Sequence, residues 1–264
     1  MAEATVVYEV AGGIATITFN RPDQMNALLP EMSDQLVQCV DRAEADDSVR
    51  VMVLTGAGKA FCAGGDIKLM ARPDRMGRTA LVGRERVLHA AHTVERLLHR
   101  EKPLIAAVNG AVAGAACGYA LACDFIVASE TARFLFSFVR IGFAPDGGTT
   151  YLLTRRVGLA NAQRIVLTAE PVSAAEALRL GLATEVVAAE ALRERARELA
   201  TTIASHSPNA IRLTRGLLDR AASADFRQAC EAEALAQGIL GETEDHKEAV
   251  RAFVEKRKPV FTGK

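Results

Sequence analysis

The sequence predicts an α/β fold in which strands and helices alternate in layers. Three observations carry that reading. Short apolar runs bounded by turn residues, at 51–55 and 104–108, have the look of strands covered on both faces. Between such runs apolar residues recur at helical spacing, as Met32, Leu36, Val37 and Val40 and again as Val87, Ala91, Val94 and Leu98. With 264 residues, 50% of them hydrophobic and 24% charged, the chain is long enough and apolar enough to bury a large core.

In chain order, residues 6–10 and 14–19 read as strands joined by Gly12-Gly13, a hairpin signal. Asn20-Arg21-Pro22-Asp23 breaks the second strand, and a helix follows over 31–46. The strand at 51–55 ends at Gly56. A helix carrying Val87 to Leu98, the strand at 104–108, a helix over 114–123 and a short strand at 125–128 continue the alternation. From about residue 159 the strand signal nearly vanishes. Helical patterns run over 160–168, 173–180, 189–205, 209–220 and 224–257, the last interrupted near Gly241. Ser207-Pro208-Asn209 is a sharp break, which divides the chain into a core, 1–205, and a helical C-terminal segment, 206–264.

Composition removes several function classes. Lys plus Arg and Asp plus Glu are both 32, so the basic excess of a nucleic-acid binder is missing. Trp is absent and aromatics are 5%, which argues against a base-stacking surface. No run approaches the roughly 18 apolar residues of a membrane span. The opening residues are acidic and lack the basic start of a signal peptide. Five Cys without a CxxC pair read as reduced structural thiols of a cytoplasmic protein. A soluble enzyme or binding protein is expected.

Five segments invite a chemical reading. Gly56-Ala57-Gly58-Lys59 has the wrong spacing for a phosphate loop. His89, His92 and His99 share one predicted helix without an HExxH pattern, so solvated histidines are the expectation and no metal is implied. Phe61-Cys62-Ala63-Gly64-Gly65-Asp66-Ile67-Lys68 follows an apolar strand, and its small residues let a backbone approach a ligand, with Lys68 available for an anion. A tight strand-to-helix connection accounts for it equally. Asn109-Gly110-Ala111-Val112-Ala113-Gly114-Ala115-Ala116 leads from a buried strand into an apolar helix, whose first amides lack carbonyl partners and suit an oxyanion. Gly110, Gly114 and Gly118, spaced by four, also read as a helix-packing stripe. In Ile141-Gly142-Phe143-Ala144-Pro145-Asp146-Gly147-Gly148, Pro-Asp-Gly is ordinary turn chemistry. Yet Asp146 follows Phe134, Phe136, Phe138 and Phe143, and a carboxylate among them is expected to hold its proton more tightly.

Taken together these segments resemble the enoyl-CoA hydratase/isomerase (crotonase) family. The matching text runs in order through Asn20-Arg21-Pro22, Asn26-Ala27-Leu28, Gly58 to Lys68, Lys102-Pro103-Leu104 to Gly110, Cys123-Asp124, and Ala252-Phe253-Val254-Glu255-Lys256-Arg257-Lys258-Pro259. The resemblance implies a crotonase-like spiral of ββα turns, a helical C-terminal trimerisation segment and a homo-trimer or hexamer. It implies an acyl-CoA substrate, with coenzyme A as part of that substrate and no separate cofactor. Matched by position, the backbone amides of Gly65 and Ala115 form the oxyanion hole that holds the thioester oxygen. Ala63, Asp66, Ile67, Lys68 and Gly114 fall at CoA- and substrate-binding positions, and Phe138 and Phe143 at the acyl pocket.

The departures from the family narrow the chemistry. Its hydratases carry two glutamates, at the positions of Gly118 and Phe138 here, and neither Gly nor Phe transfers a proton. The Gly-x-x-Pro-Asp segment ending in Asp146, and the closing Phe261-Thr262-Gly263-Lys264, resemble the isomerase branch typified by phenylacetate-degradation proteins of the PaaG kind. There the Asp is the acid/base. The dehalogenase branch uses an Asp at this position together with a Trp, and the chain has none. Double-bond isomerisation is therefore the expected activity. The alternatives are hydration by an atypical site and a non-catalytic acyl-CoA-binding subunit. Assistance from Glu85, His89 or His92 is not expected to be needed.

Overall fold

In the computed structural model, which describes residues 4–71 and 80–264, the chain passes back and forth between two sheets. β1 (Val6–Ala11) and β2 (Ile14–Phe19) form the antiparallel hairpin read from the sequence. α1 (Pro30–Ala45) crosses to β3 (Val51–Gly56), which lies parallel to β2. From β3 onward one unit recurs: a strand in the larger sheet, a short strand in the smaller sheet, then helix. β3 leads to β4 (Ala60–Cys62), α2 (Ile67–Met70) and α3 (Ala80–Leu98). β5 (Leu104–Val108) leads to β6 (Ala111–Ala113) and α4 (Ala115–Leu121). β7 (Phe125–Ser129) leads to β8 (Arg133–Leu135) and α5 (Thr149–Val157). This is a spiral of ββα turns. α6 (Leu159–Thr168), β9 (Val172–Ser173), α7 (Ala174–Arg179), β10 (Glu185–Val187) and α8 (Leu192–Ala204) follow, and then α9 (Pro208–Ala221), α10 (Phe226–Gly241) and α11 (Glu244–Val254). The six-stranded sheet runs β1-β2-β3-β5-β7-β10 and the four-stranded sheet β4-β6-β8-β9. Among the described residues no helix is long and apolar enough to cross a membrane.

Burial on both faces of the larger sheet explains its unbroken apolar strands. Val51 and Val53, with Ile14, Ile105, Ala107 and Val127, pack on Leu192, Ala196 and Ala200 of α8. Met52 and Leu54, with Ile17, Leu104, Ala106 and Ile126, face the main core, where α1 supplies Met32, Leu36 and Val40 and α4 supplies Ala116, Tyr119 and Ala120. Successive residues of a strand point to opposite sides, so each neighbour needs its own apolar cover.

The structure departs from the sequence reading in two ways. The strands β4, β6, β8, β9 and β10 have three residues or fewer, too short for any periodicity to announce them. The proposed glycine stripe is not a stripe. Gly114 precedes α4 as its N-cap, and Gly110 precedes β6, where a Cβ would collide with the Lys59 carbonyl. Only Gly118 packs as a helical residue, on α4.

One buried charge cluster ties α3, α4, β5 and α9 together. The Arg100 side chain has no exposed surface and donates to the Asp124 carboxylate and, at 3.0 Å, to the Ala122 carbonyl. Asp124 also accepts from the Leu104 amide (2.8 Å) and from Arg215 Nε (2.8 Å). Arg215 further donates to the carbonyls of Leu98, the last residue of α3, and of Arg100 just beyond it, at 2.8 and 2.6 Å. Burial pulls the Arg100 guanidinium down and the Asp124 charge opposes that pull. A buried cation left without its carboxylate is costly. Asp124→Ala is therefore expected to lower unfolding stability by about 3–5 kcal/mol in urea titrations, more than Arg215→Met, because Arg100 loses its counter-charge.

Candidate active site

β4 and β6 lie side by side and parallel, pairing Ala60 with Ala111 and Cys62 with Val112. Their C-terminal ends run into the two segments that the sequence singled out. Gly64, at φ 80°, leaves so little room that a Cβ would sit 2.5 Å from the Ala113 carbonyl oxygen. Gly114, at φ 53°, faces back on the Gly64 Cα. Two backbones thus meet here: lack of space keeps a side chain out at Gly64, and the positive φ favours Gly at 114. Gly65 and Ala115 are the next residues of the two segments, and both are half-buried.

The hydrogen bonding sets where their amides point. Leu28 bridges Gly65 in parallel fashion: the Leu28 amide donates to the Gly64 carbonyl (2.7 Å) and the Asp66 amide donates to the Leu28 carbonyl (3.3 Å). In a parallel pairing the residue between two such bonds turns its own N–H and C=O to the other side. The Gly65 amide is therefore directed away from Leu28. Ala115 is the first residue of α4, so no carbonyl one turn earlier accepts its N–H, while the Gly114 amide donates to Leu135 (3.0 Å).

Asp146 reaches the neighbourhood from the other direction. After β8, a tight turn over Ser137–Ile141 buries Phe138, and the chain runs out to Phe143, which is 52% exposed. It then returns through Pro145 to Asp146, half-buried, whose carbonyl accepts from the Thr149 amide (3.0 Å) at the start of α5. Phe134 and Phe136 belong to the main core, so packing accounts for them.

The Asp146 loop packs on α4 at Gly118. A Cβ at 118 would lie 2.8 Å from the Gly147 carbonyl oxygen and 3.4 Å from both Thr149 Oγ1 and Val94 Cγ2. The space where a side chain would begin is filled by the loop that carries Asp146. The next residue on α4, Tyr119, is buried and shares a 2.8 Å hydrogen bond with Ser33 Oγ. Burial pushes its phenol up to about 12; the Ser33 bond works against this and the nearby Asp146 charge adds to it.

The other candidates are placed as follows. Asp66 caps α2, its Oδ1 accepting from the Lys68 and Leu69 amides, while Ile67 and Lys68 are exposed. The Ala63 amide donates to the Met25 carbonyl (3.0 Å). Glu85, His89 and His92 are exposed on α3, and His89 faces Asp34 at 3.0 Å. Among the described residues no group of three or more His, Cys, Asp and Glu side chains is arranged to hold a metal. Burial pushes the Cys62 thiol up to about 12 and the Cys117 thiol up as well, which keeps both protonated and inert. Sequence reasoning gave no role to Leu28, Val94 or Tyr119, which act through packing and main-chain pairing. Nor did it give one to Asn26, whose left-handed φ of 56° and complete burial are conformational facts.

Residues 9–264 match the family model described as enoyl-CoA hydratase/isomerase. The 1,2-epoxyphenylacetyl-CoA isomerase of Escherichia coli is 35% identical over 259 residues, covering 98% of each chain. The short-chain-enoyl-CoA hydratase of Clostridium acetobutylicum is 38% identical over 254 residues, covering 96% of this chain and 95% of that one. Among solved structures, an enoyl-CoA hydratase from Bacillus anthracis superposes with a TM-score of 0.93 at 32% identity, covering 99% of this chain and 100% of that chain. Both activities thus appear among similar proteins.

Two outcomes follow from the packing and burial. Gly118→Glu is expected to push the Gly147 carbonyl away from α4 and to lower unfolding stability by about 1–3 kcal/mol, read from urea midpoints. The second concerns alkaline pH. The Tyr119 phenol rises from 10.0, and the Cys62 and Cys123 thiols from 9.0, to about 12 on folding. Raised folded values mean that the stabilisation is complete below the unfolded ones and disappears as pH climbs through the folded ones. The urea midpoint is therefore expected to fall between pH 9 and 12, and Tyr119→Phe is expected to remove the part that begins near pH 10.

Proposed function

Because the chain belongs to the enoyl-CoA hydratase/isomerase family, with its crotonase fold, we propose that it is an acyl-CoA isomerase using Asp146 as its one proton carrier. The reaction is the movement of a double bond from C3 to C2 of a coenzyme A thioester, or a related rearrangement of a ring-bearing acyl group. The Asp146 carboxylate takes a proton from C2. The electron pair of that C–H bond delocalises onto the thioester oxygen, where the Gly65 and Ala115 amides stabilise it. The protonated Asp146 then returns the proton to C4, and the double bond settles between C2 and C3. One carboxylate suffices, because the proton removed is the proton returned. Backbone donors of this kind are each worth about 2.7–4 kcal/mol in comparable enzymes.

The observation that carries this reading is the crowding at Gly118. A hydratase of this family needs a second acid/base there, and the space is taken by the segment bearing Asp146. The 35% identity to an enzyme named as an isomerase supports it further. Lys68, exposed beyond the Asp66 cap, is suited to the CoA phosphates. The assembly is a homo-trimer or hexamer, a reading supported by apolar side chains exposed on α9 and α10, Leu218, Phe226 and Leu235 among them.

A second reading, hydration by an atypical site, is favoured by the hydratase name of a 38% identical relative. Assays of purified protein on 3-enoyl-CoA and 2-enoyl-CoA thioesters separate the two. Asp146→Asn is expected to lower isomerisation of the 3-enoyl thioester by about 10²–10⁴-fold while leaving acyl-CoA affinity in place. Undiminished turnover by that variant would overturn the assigned role. Water addition to 2-enoyl-CoA without isomerisation would replace the first reading by the second, and inertness toward both would leave an acyl-CoA-binding subunit.

A further inference from the structure

We infer that Arg21 is a positioning residue for the Gly65 amide, a diagonal brace across the bridge that aims it. The inference rests on the reading of Gly65 as an oxyanion donor. The direction of that amide depends on the two hydrogen bonds to Leu28, of which one is long at 3.3 Å. Local backbone preference adds little, since residues 64 and 65 are both Gly. The Arg21 guanidinium makes up the deficit. Its Nη1 donates to the carbonyl of Ala27, the residue just before Leu28. Nη1 and Nη2 both face Oδ2 of Asp66, the residue just after Gly65, at 3.4 Å. One planar group thereby links the two sides of the bridge, from the residue before Leu28 to the residue after Gly65.

Each end of the brace is itself fixed. Asp66 uses Oδ1 to cap the Lys68 and Leu69 amides (3.1 and 3.3 Å), leaving Oδ2 for the guanidinium. The Arg21 amide donates to Asn26 Oδ1 (2.8 Å), and the fully buried Asn26 donates from Nδ2 to the Ala57 and Ala60 carbonyls (2.9 and 2.7 Å). Arg21 and Asp66 side chains are each 15% exposed, enclosed enough for the pair to escape most solvent screening. The arrangement calls for arginine. A forked guanidinium reaches a carbonyl and a carboxylate at once, whereas a lysine ammonium is a point charge that reaches one.

The test uses Arg21→Met, Arg21→Lys and Asp66→Asn in the full-length protein. Four readouts are taken: steady-state turnover of whichever enoyl-CoA thioester the wild type converts, calorimetric affinity for hexanoyl-CoA, the infrared carbonyl band of bound hexanoyl-CoA labelled with ¹³C at C1, and the melting temperature. Hexanoyl-CoA has no double bond to move or hydrate, so its carbonyl reports polarisation alone. Arg21→Met is expected to lower kcat by about 10²-fold, as ångström-scale misplacement does, with KM and hexanoyl-CoA affinity within about threefold of wild type. Its bound carbonyl band is expected to move back toward that of free thioester, and Arg21→Lys to recover only part of the loss. The double variant Arg21→Met/Asp66→Asn is expected to be no worse than the poorer single one, because both remove the same brace.

A wild-type kcat and carbonyl shift in Arg21→Met overturns the proposal. So does a loss of kcat matched by an equal loss of hexanoyl-CoA affinity or by a collapsed melting temperature, since either makes Arg21 a binding or folding residue. Additive losses in the double variant also overturn it, as does a wild-type complex whose carbonyl band is unshifted. A wild type that turns over neither thioester yet shifts the carbonyl band, with the shift lost in Arg21→Met, fails the isomerase reading and supports the brace.

Discussion

The proposed oxyanion hole takes two main-chain amides from segments fifty residues apart in sequence, and such amides can serve one ligand atom only if something makes the segments neighbours. Here that is the parallel pairing of β4 with β6, closed off by the backbone contact of Gly64 with Gly114. Much of the molecule serves this constraint. The smaller sheet has strands of three residues or fewer and buries little by itself. Its role is to set chain ends side by side. The larger sheet, packed on α8 on one side and on the main core on the other, supplies the apolar burial that makes so short a sheet affordable.

The relation between Gly118 and Asp146 changes the meaning of a missing residue. Read along the chain, Gly118 is a glutamate position without its carboxyl. In the fold it is the clearance that lets the Gly147 carbonyl come within van der Waals reach of α4. In the proposed reading, the absent glutamate and the seating of the Asp146 loop are one packing arrangement. A side chain restored at 118 in this chain would meet the Gly147 carbonyl of that loop.

Much of this was legible in the amino-acid order. The strands at 51–55 and 104–108 are unbroken apolar runs because they are buried on both faces, and the first hairpin is announced by Gly12-Gly13. Gly65, Ala115 and Asp146 stand out through the family resemblance. What escaped notice depends on three-dimensional neighbours. The short strands have no period, the supposed glycine stripe confuses a turn, a cap and one helical residue, and the contact of Gly118 with Gly147 joins positions that no local pattern relates. The Arg21 brace escaped for the same reason: Arg21 and Asp66 are 45 residues apart, and nothing in either neighbourhood names the other.

The Arg215 side chain covers the last carbonyl of α3, Leu98, and the Arg100 carbonyl just beyond it, from 117 and 115 residues further along the chain. The partner that covers these carbonyls is thus supplied by α9, a helix of the C-terminal segment, and not by α3's own surroundings in sequence. The same guanidinium reaches the Asp124 carboxylate, so one arginine joins the C-terminal helices to the Arg100–Asp124 pair and to the turn that leads into β5. The C-terminal segment is in this respect a clasp on the core.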